Sequence, residues 1–149
     1  MTREQDDIQW RFQFFNTLLK REIPSLYEFF TGLKIPIESF LEKWISCLFL
    51  NILPFNLALR VWDIILLKGE AYVYQVTLGI LKYLESDLLN SKIARLEEIF
   101  ARVKEAEEQV IFLIISSVKV SVHEFEEQLI LQRMGEQKGQ ILMCYAQEI

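Results

Sequence analysis

The sequence predicts an all-α fold, and three observations carry that expectation. Apolar residues recur every three or four positions through most of the chain, the period of one helix face. Glycine and proline are scarce, with five and three in 149 residues, where average usage gives roughly ten and seven. β-Sandwiches and barrels spend those residues on many tight turns. The hydrophobic fraction is 52%, of which aromatic side chains supply a large part, so disorder is excluded and a chain of this length buries a core without disulfide or metal.

The elements follow in order. From Arg3 to Arg21, Ile8, Phe12, Phe15 and Leu19 make a helical stripe, widened by Phe14 and Leu18 and interrupted by Pro24. A short helix from Ser25 to about Thr31 turns Leu26, Phe29 and Phe30 inward, with Gly32 as its stop. Pro36 suits the first turn of a third helix, whose buried face is Phe40, Trp44, Cys47 and Leu48 and which Pro54 closes. A fourth spans about Asn56 to Leu67 and ends at Gly69; a fifth spans about Ala71 to Leu84, with Val73, Val76, Ile80 and Leu84 inward. Asn90 or Ser91 caps a sixth, striped by Ile93, Leu96, Ile99, Phe100 and Val103. The charged stretch Ala101–Gln109 reads as helix. Val110–Val122 fits a buried helix or a strand; helix is preferred, because no other segment offers a sheet partner. Ser121-Val-His-Glu124 is a capping box, starting a helix that runs to Met134 before Gly135 and Gly139 loosen the chain. The expected total is seven to nine helices in one unit.

Charge and composition exclude several classes of function. Sixteen Lys and Arg against 21 Asp and Glu leave a net charge of −5, and neither half is basic, so no nucleic-acid footprint is visible. Cys47 and Cys144 are not in Cys-x-x-Cys spacing, and His123 is the sole histidine; a reducing compartment is expected, and no metal site or cofactor. No Gly-rich phosphate loop occurs. The acidic runs Glu97-Glu98, Glu105 to Glu108 and Glu126-Glu127 read as solvated helix faces. No apolar run reaches the roughly 18 to 20 residues a bilayer needs, and the charged start with Arg3, Glu4, Asp6 and Asp7 carries no secretory signal. Localisation is therefore expected to be cytoplasmic, or peripheral on intracellular membranes. A composition this apolar in a helical chain of this size also leaves apolar surface exposed. Either one face is sticky, or a partner is missing: another chain, or the rest of the domain.

One ordered set of residues is more specific. It runs Pro24-Ser-Leu-Tyr-Glu-Phe-Phe, Phe40-Leu-Glu-Lys-Trp44, Leu53-Pro54, Leu59-Arg-Val-Trp-Asp63 and Gly69, followed by a helix with Leu78, Leu81 and Leu84. In order and spacing it resembles the C-terminal half of a TBC domain, the all-helical module of Rab GTPase-activating proteins. The resemblance covers roughly Phe12 to Phe100, so residues 1–100 are expected to be that half-domain and residues 101–149 additional helices packing on or extending it.

The marker residues Trp44, Pro54, Arg60, Trp62, Asp63 and Gly69 read as structural. Arg60 and Asp63 lie three apart, where they can pair or cap neighbours. Trp44 and Trp62 are bulky anchors, each worth about 3–5 kcal/mol on truncation where fully buried. Gly69 permits an exit at positive φ. The resemblance implies a Rab-type small GTPase as partner, and as catalytic parts an arginine from Ile-x-x-Asp-x-x-Arg and a glutamine from Tyr-x-Gln, both ahead of the Pro-x-Leu-Tyr helix. The sequence contains no Ile-x-x-Asp-x-x-Arg, and its Tyr145-Ala-Gln147 lies after the other markers. Arg3, Arg11, Arg21, Arg95, Arg102 and Arg133 read as solvated surface arginines. No catalytic residue is assigned. The expectation is part of a GTPase activator that is not competent alone, either a fragment or short isoform lacking the N-terminal half or a degenerate member. The alternative is a non-catalytic helical interaction scaffold, for which Ile111–Val122 and the stripe Phe125, Leu129, Ile130 and Met134 offer apolar surface.

Overall fold

A computed structural model describes residues 3–91 and 95–147. Among them the fold is all-α, with no strand. The helices are α1 (Arg3–Glu22), α2 (Pro24–Gly32), α3 (Glu38–Ser46), α4 (Phe55–Lys68), α5 (Ala71–Leu89), α6 (Leu96–Ala101), α7 (Glu108–Ser117) and α8 (Val122–Gln147), with a 3₁₀ turn at Arg102–Glu105 after α6.

α5 is the central element. Eleven of its residues are buried, from Ala71 to Leu88 and on every side of the helix. A helix apolar all round needs neighbours all round, and α1, α2, α4, α6, α7 and α8 each contact it. Its buried hydroxyl, on Thr77, donates to the Val73 carbonyl at 2.9 Å within the same helix, so it needs nothing from the packing around it. α7 makes the closest approach. At Gly79 a Cβ would stand 2.5 Å from Ile115 Cγ1 and 2.8 Å from Ile115 Cα. Only the missing side chain lets the two backbones meet, and Gln75 Nε2 bonds the Ile115 carbonyl at 2.9 Å beside it.

Two aromatic clusters tie the other helices to this centre. Phe30, Phe40, Trp44 and Phe100 have ring centroids 5.0 to 5.4 Å apart, joining α2, α3 and α6. Trp10, Phe14, Tyr74 and Phe125 join α1, α5 and the first turn of α8 at 5.5 to 5.9 Å. Such pairs add to the burial of their area.

Several boundaries differ from the sequence expectation. Gly32 still belongs to α2; the left-handed exit is taken by Lys34 at φ 55°, with the Ile35 N–H bonded back to the Phe30 carbonyl at 3.0 Å. α3 closes at Ser46 in the same way: Leu48 sits at φ 52°, and the Phe49 N–H bonds the Trp44 carbonyl at 2.8 Å. Cys47 and Leu48 are consequently exposed rather than on the buried face of α3. The following turn inserts Phe49, Ile52 and Leu53 into the core in their place. Burial of those side chains outweighs about 1–2 kcal/mol for a non-glycine residue in the left-handed region.

α5 continues to Leu89, and Asn90 ends it instead of starting α6. Ile93 lies outside the described residues. The charged stretch 101–109 is not one helix, because Ala106 turns extended at ψ 152° and separates the 3₁₀ turn from α7. α7 is helical through Ser117, as preferred over strand, and Ser121 caps α8 through the Glu124 N–H at 3.3 Å. α8 does not stop at Met134. Glycines at 135 and 139 lower helix propensity by about 1 kcal/mol each, which 26 residues of continuous hydrogen bonding absorb.

Gly79→Ala should lower stability by about 1–3 kcal/mol, because one of the crowding atoms belongs to the Ile115 backbone and cannot rotate away. The measurement is the urea midpoint; an unchanged midpoint would mean that α5 and α7 are not in such close contact.

Candidate functional site

Of the six marker residues, Trp44 lies on α3 and the other five lie on α4 or at its two ends, and the structure does not bring them into one cluster. Trp44 is fully inside the first aromatic cluster. Pro54 caps α4 with φ −53°, and its carbonyl accepts from the Ala58 N–H at 2.9 Å. A proline there loses nothing, since an N–H at the N-cap position has no helical partner in any case. Gly69 ends α4 at φ 84°, ψ −167°, a region reserved to glycine.

Trp62 departs from the expectation of a fully buried anchor. It is half-buried, and its Nε1–H donates to the Leu48 carbonyl at 2.5 Å. The left-handed backbone at Leu48 turns that carbonyl out of α3, and the indole ties the turn to α4. Arg60 and Asp63 do not pair. Both are exposed, and the Arg60 guanidinium lies 4.6 Å from the centroid of the Phe112 ring instead. That contact links α4 to α7 through the attraction of a cation to an aromatic face. One stripe of the outer face of α4 is apolar. Phe55, Leu59, Trp62 and Leu66 recur at helical spacing, and Leu48 and Leu50 flank them; all but Trp62 are exposed.

A second feature was not visible in the sequence. α1, α3 and the start of α5 enclose a cleft of about 230 Å³ walled by Ile8, Phe12, Leu41, Ile45 and Val73. Its polar edge is one network. Arg11 Nε and Nη2 donate to the Glu70 carboxylate at 2.5 and 3.3 Å. Arg11 Nη1 lies 2.9 Å from Asp7 Oδ2, and the Tyr74 hydroxyl donates to Glu70 at 3.0 Å. The Glu70 bond holds the guanidinium firmly charged, above its ordinary pKa; burial holds the Tyr74 phenol protonated as a donor. Arg11 and Glu70 are 59 positions apart, and no local pattern joins them. The cleft is smaller than the roughly 300–1,000 Å³ typical of small-molecule sites. Every strong donor at its edge is already engaged, and the network joins α1 to α5.

The arginines read from sequence as solvated divide into groups. Arg11 is half-buried and locked as described. Arg21 bonds Glu124 at 3.0 Å and Glu22 at 3.2 Å, and Arg102 lies 3.3 Å from Asp87. Arg95 and Arg133 are exposed; the side chain of Arg3 lies outside the described residues. Opposite charges within reach on neighbouring elements, invisible in local spacing, make the difference. Gln147 and Tyr145 are exposed in the last turn of α8. Among the described residues no helix is long and apolar enough to cross a membrane.

Two stability outcomes follow. Trp44→Ala should cost about 3–5 kcal/mol, and Trp62→Ala less, roughly 1–3 kcal/mol for half-burial and one hydrogen bond; the reverse ranking in urea melts would mean the exposures are misassigned. Gly69→Ala should cost roughly 1–3 kcal/mol. No atom lies within 4 Å of the added methyl, so the cost is backbone strain alone, and Gly69→Asn should not relieve it, because ψ −167° lies outside the left-handed helical region that asparagine tolerates.

Comparison with known proteins accounts for this arrangement. A model of the Rab-GTPase-TBC domain matches residues 1–89. Drainin of Dictyostelium discoideum is 30% identical over 108 residues, 71% of this chain and 25% of its own. TBC1 domain family member 12 of Xenopus tropicalis and TBC1 domain family member 14 of Homo sapiens are each 29% identical over 94 residues, 63% of this chain and 14% of theirs. The chain thus spans a quarter or less of the length of these relatives. No solved structure matches it. The ordered marker residues, the all-helical fold and the family match over most of that span lead to one conclusion: the chain belongs to the Rab-GTPase-TBC domain family.

Proposed function

We propose that this chain is the C-terminal part of a TBC domain. In this reading it contributes scaffold and contact surface to a GTPase-activating protein for Rab-type small GTPases in membrane traffic, and does not accelerate GTP hydrolysis alone. The observation that carries the reading is the ordered marker set in a sequence without Ile-x-x-Asp-x-x-Arg. Activation needs a cation brought to the transferring phosphoryl group and a positioned water, and an arginine finger is worth 10³–10⁵ in rate. Arg11 is held by two carboxylates, Arg60 lies against the Phe112 ring, and Tyr145-Ala-Gln147 lies in the last turn of α8.

Division of the chain into a half-domain over 1–100 and added helices over 101–149 belongs to the same proposal. It is supported by α7 packing on α5 and by Phe125 entering the cluster of α1. A missing N-terminal half-domain is supported by the exposed apolar stripe along α4, since contiguous exposed apolar residues mark contact surfaces.

The test is single-turnover phosphate release from a panel of GTP-loaded Rab proteins, with and without excess chain. The expected result is less than about tenfold acceleration of every Rab, far below the contribution of one finger. Acceleration beyond that by this chain alone would overturn the reading, and Arg→Lys substitution at the six candidate positions would then locate the finger.

A further inference from the structure

Where α4, α5 and α7 meet, two cations stand without an anion. Arg60 and Lys68 both lie on α4, roughly 12 Å apart along its axis at 1.5 Å per residue. Both are exposed, and both act on Tyr72, in the first turn of α5. The Lys68 ammonium lies 5.6 Å from the centroid of the Tyr72 ring. Burial raises the pKa of the Tyr72 phenol, and the charge of Arg60 works against that rise. Phe112 of α7 borders the group on the other side, its ring centroid 4.6 Å from the Arg60 guanidinium. A cation over a ring spends its charge there and leaves its N–H groups free.

Every donor in this group is unspent. Among the described residues, the side chains of Arg60 and Lys68 make no hydrogen bond and no ion pair, and the Tyr72 hydroxyl bonds nothing. Tyr72 is only 4% exposed, and polar groups so placed ordinarily have partners. Its neighbour Tyr74 shows the contrast, with a hydroxyl that donates to Glu70 at 3.0 Å. The carboxylates nearest in sequence do not fill the role. Glu70 is taken by Arg11 and Tyr74, and Asp63 and Glu108 pair with neither cation. The acceptor that fits is therefore an anion from outside the chain. A carboxylate has one charge and leaves one cation unmatched. A phosphate monoester carries about −1.5 to −2 at pH 7 and three acceptor oxygens, which suits two cations and one hydroxyl, with the arginine fork binding two oxygens at once. Extended polyanions fit poorly, because the chain carries a net charge of −5 and such partners need a broad basic face.

We propose that Arg60, Lys68 and Tyr72 form a binding site for a single phosphate monoester, presented on a phosphorylated side chain of a partner protein. Both cations face solvent, so the phosphate is met from outside. The site does not depend on the GTPase reading and is tested separately from it.

Titration of the whole chain at constant ionic strength, followed by nuclear magnetic resonance, should show it. Inorganic phosphate and a blocked Gly-phosphoserine-Gly peptide should shift the Arg60 Nε–H and the amides around Lys68 and Tyr72 saturably, with Kd of about 1–10 mM. The unphosphorylated peptide should shift nothing, and acetate should bind about tenfold more weakly or less. Arg60→Gln and Lys68→Gln should each weaken phosphate binding about tenfold, the usual effect of losing a hydrogen bond to a charged group. Arg60→Lys should fall between Arg60→Gln and the parent, since it keeps the charge and loses the fork. Tyr72→Phe keeps the buried ring and should weaken binding about threefold to tenfold. Far-ultraviolet spectra and urea midpoints of the variants report any loss of fold separately. No saturable shift with about 50 mM phosphate overturns the proposal, as does an equal response to chloride, which would be screening alone, or binding indifferent to Arg60→Gln and Lys68→Gln. Acetate binding as tightly as phosphate overturns the choice of a phosphate. A phosphopeptide that fails while phosphatidylinositol phosphate vesicles bind, and are released by Arg60→Gln, overturns the protein source and assigns the site to a lipid headgroup.

Discussion

Burial of α5 on all sides is the constraint from which the rest of the architecture follows. A helix with apolar residues around its whole circumference is stable only inside a complete shell of other helices, and here six of them supply it. The shell must also fit. Where α7 crosses, the only residue that leaves room is a glycine, and the Ile115 backbone comes close enough to exclude even a methyl group at position 79. Close packing of this kind makes the interior responsive to single atoms. It also explains why the polar groups on α5 are resolved locally: Thr77 bonds within its own helix, and Gln75 bonds the carbonyl of the residue that presses on Gly79.

The marker residues of the family make sense as the machinery of entry into that helix. Pro54 and Gly69 bracket α4 with two backbone conformations that each suits by its own covalent structure. Trp62 pins the irregular turn before α4 to its body, and Trp44 anchors α3 in the first aromatic cluster. Immediately after Gly69 comes Glu70, which takes Arg11 from α1 and the hydroxyl of Tyr74 from α5. The turn between α4 and α5 is thereby locked from three directions. Each of these jobs is conformational.

The surface has a different logic. The outer face of α4 and the outer face of α8 both expose apolar residues at helical spacing, and they lie on different parts of the chain. The first belongs to the segment that the family match covers, the second lies beyond it.

Most of the helices were legible in the sequence because helix formation is a local matter. Apolar spacing, the glycine at the end of α4 and the Ser121 cap of α8 act within a few residues and were read correctly, whereas Pro54, expected to close α3, opens α4 instead. The errors fall where a distant contact overruled a local preference. α3 ends early because Phe49, Ile52 and Leu53 gain more by burial than Leu48 loses in a left-handed turn. Trp62 lies at the edge because its indole N–H has a carbonyl to bond there. Arg60 chose the ring of Phe112 over the nearby Asp63, and Arg11 found Glu70 across 59 residues. The direction in which α8 faces is of the same kind: its amphipathic pattern is plain in the sequence, but only the position of α1 beneath its polar side turns the apolar side outward. Local chemistry settles which segments become helices; which face each helix buries, and which charges meet, depends on neighbours that linear order does not reveal.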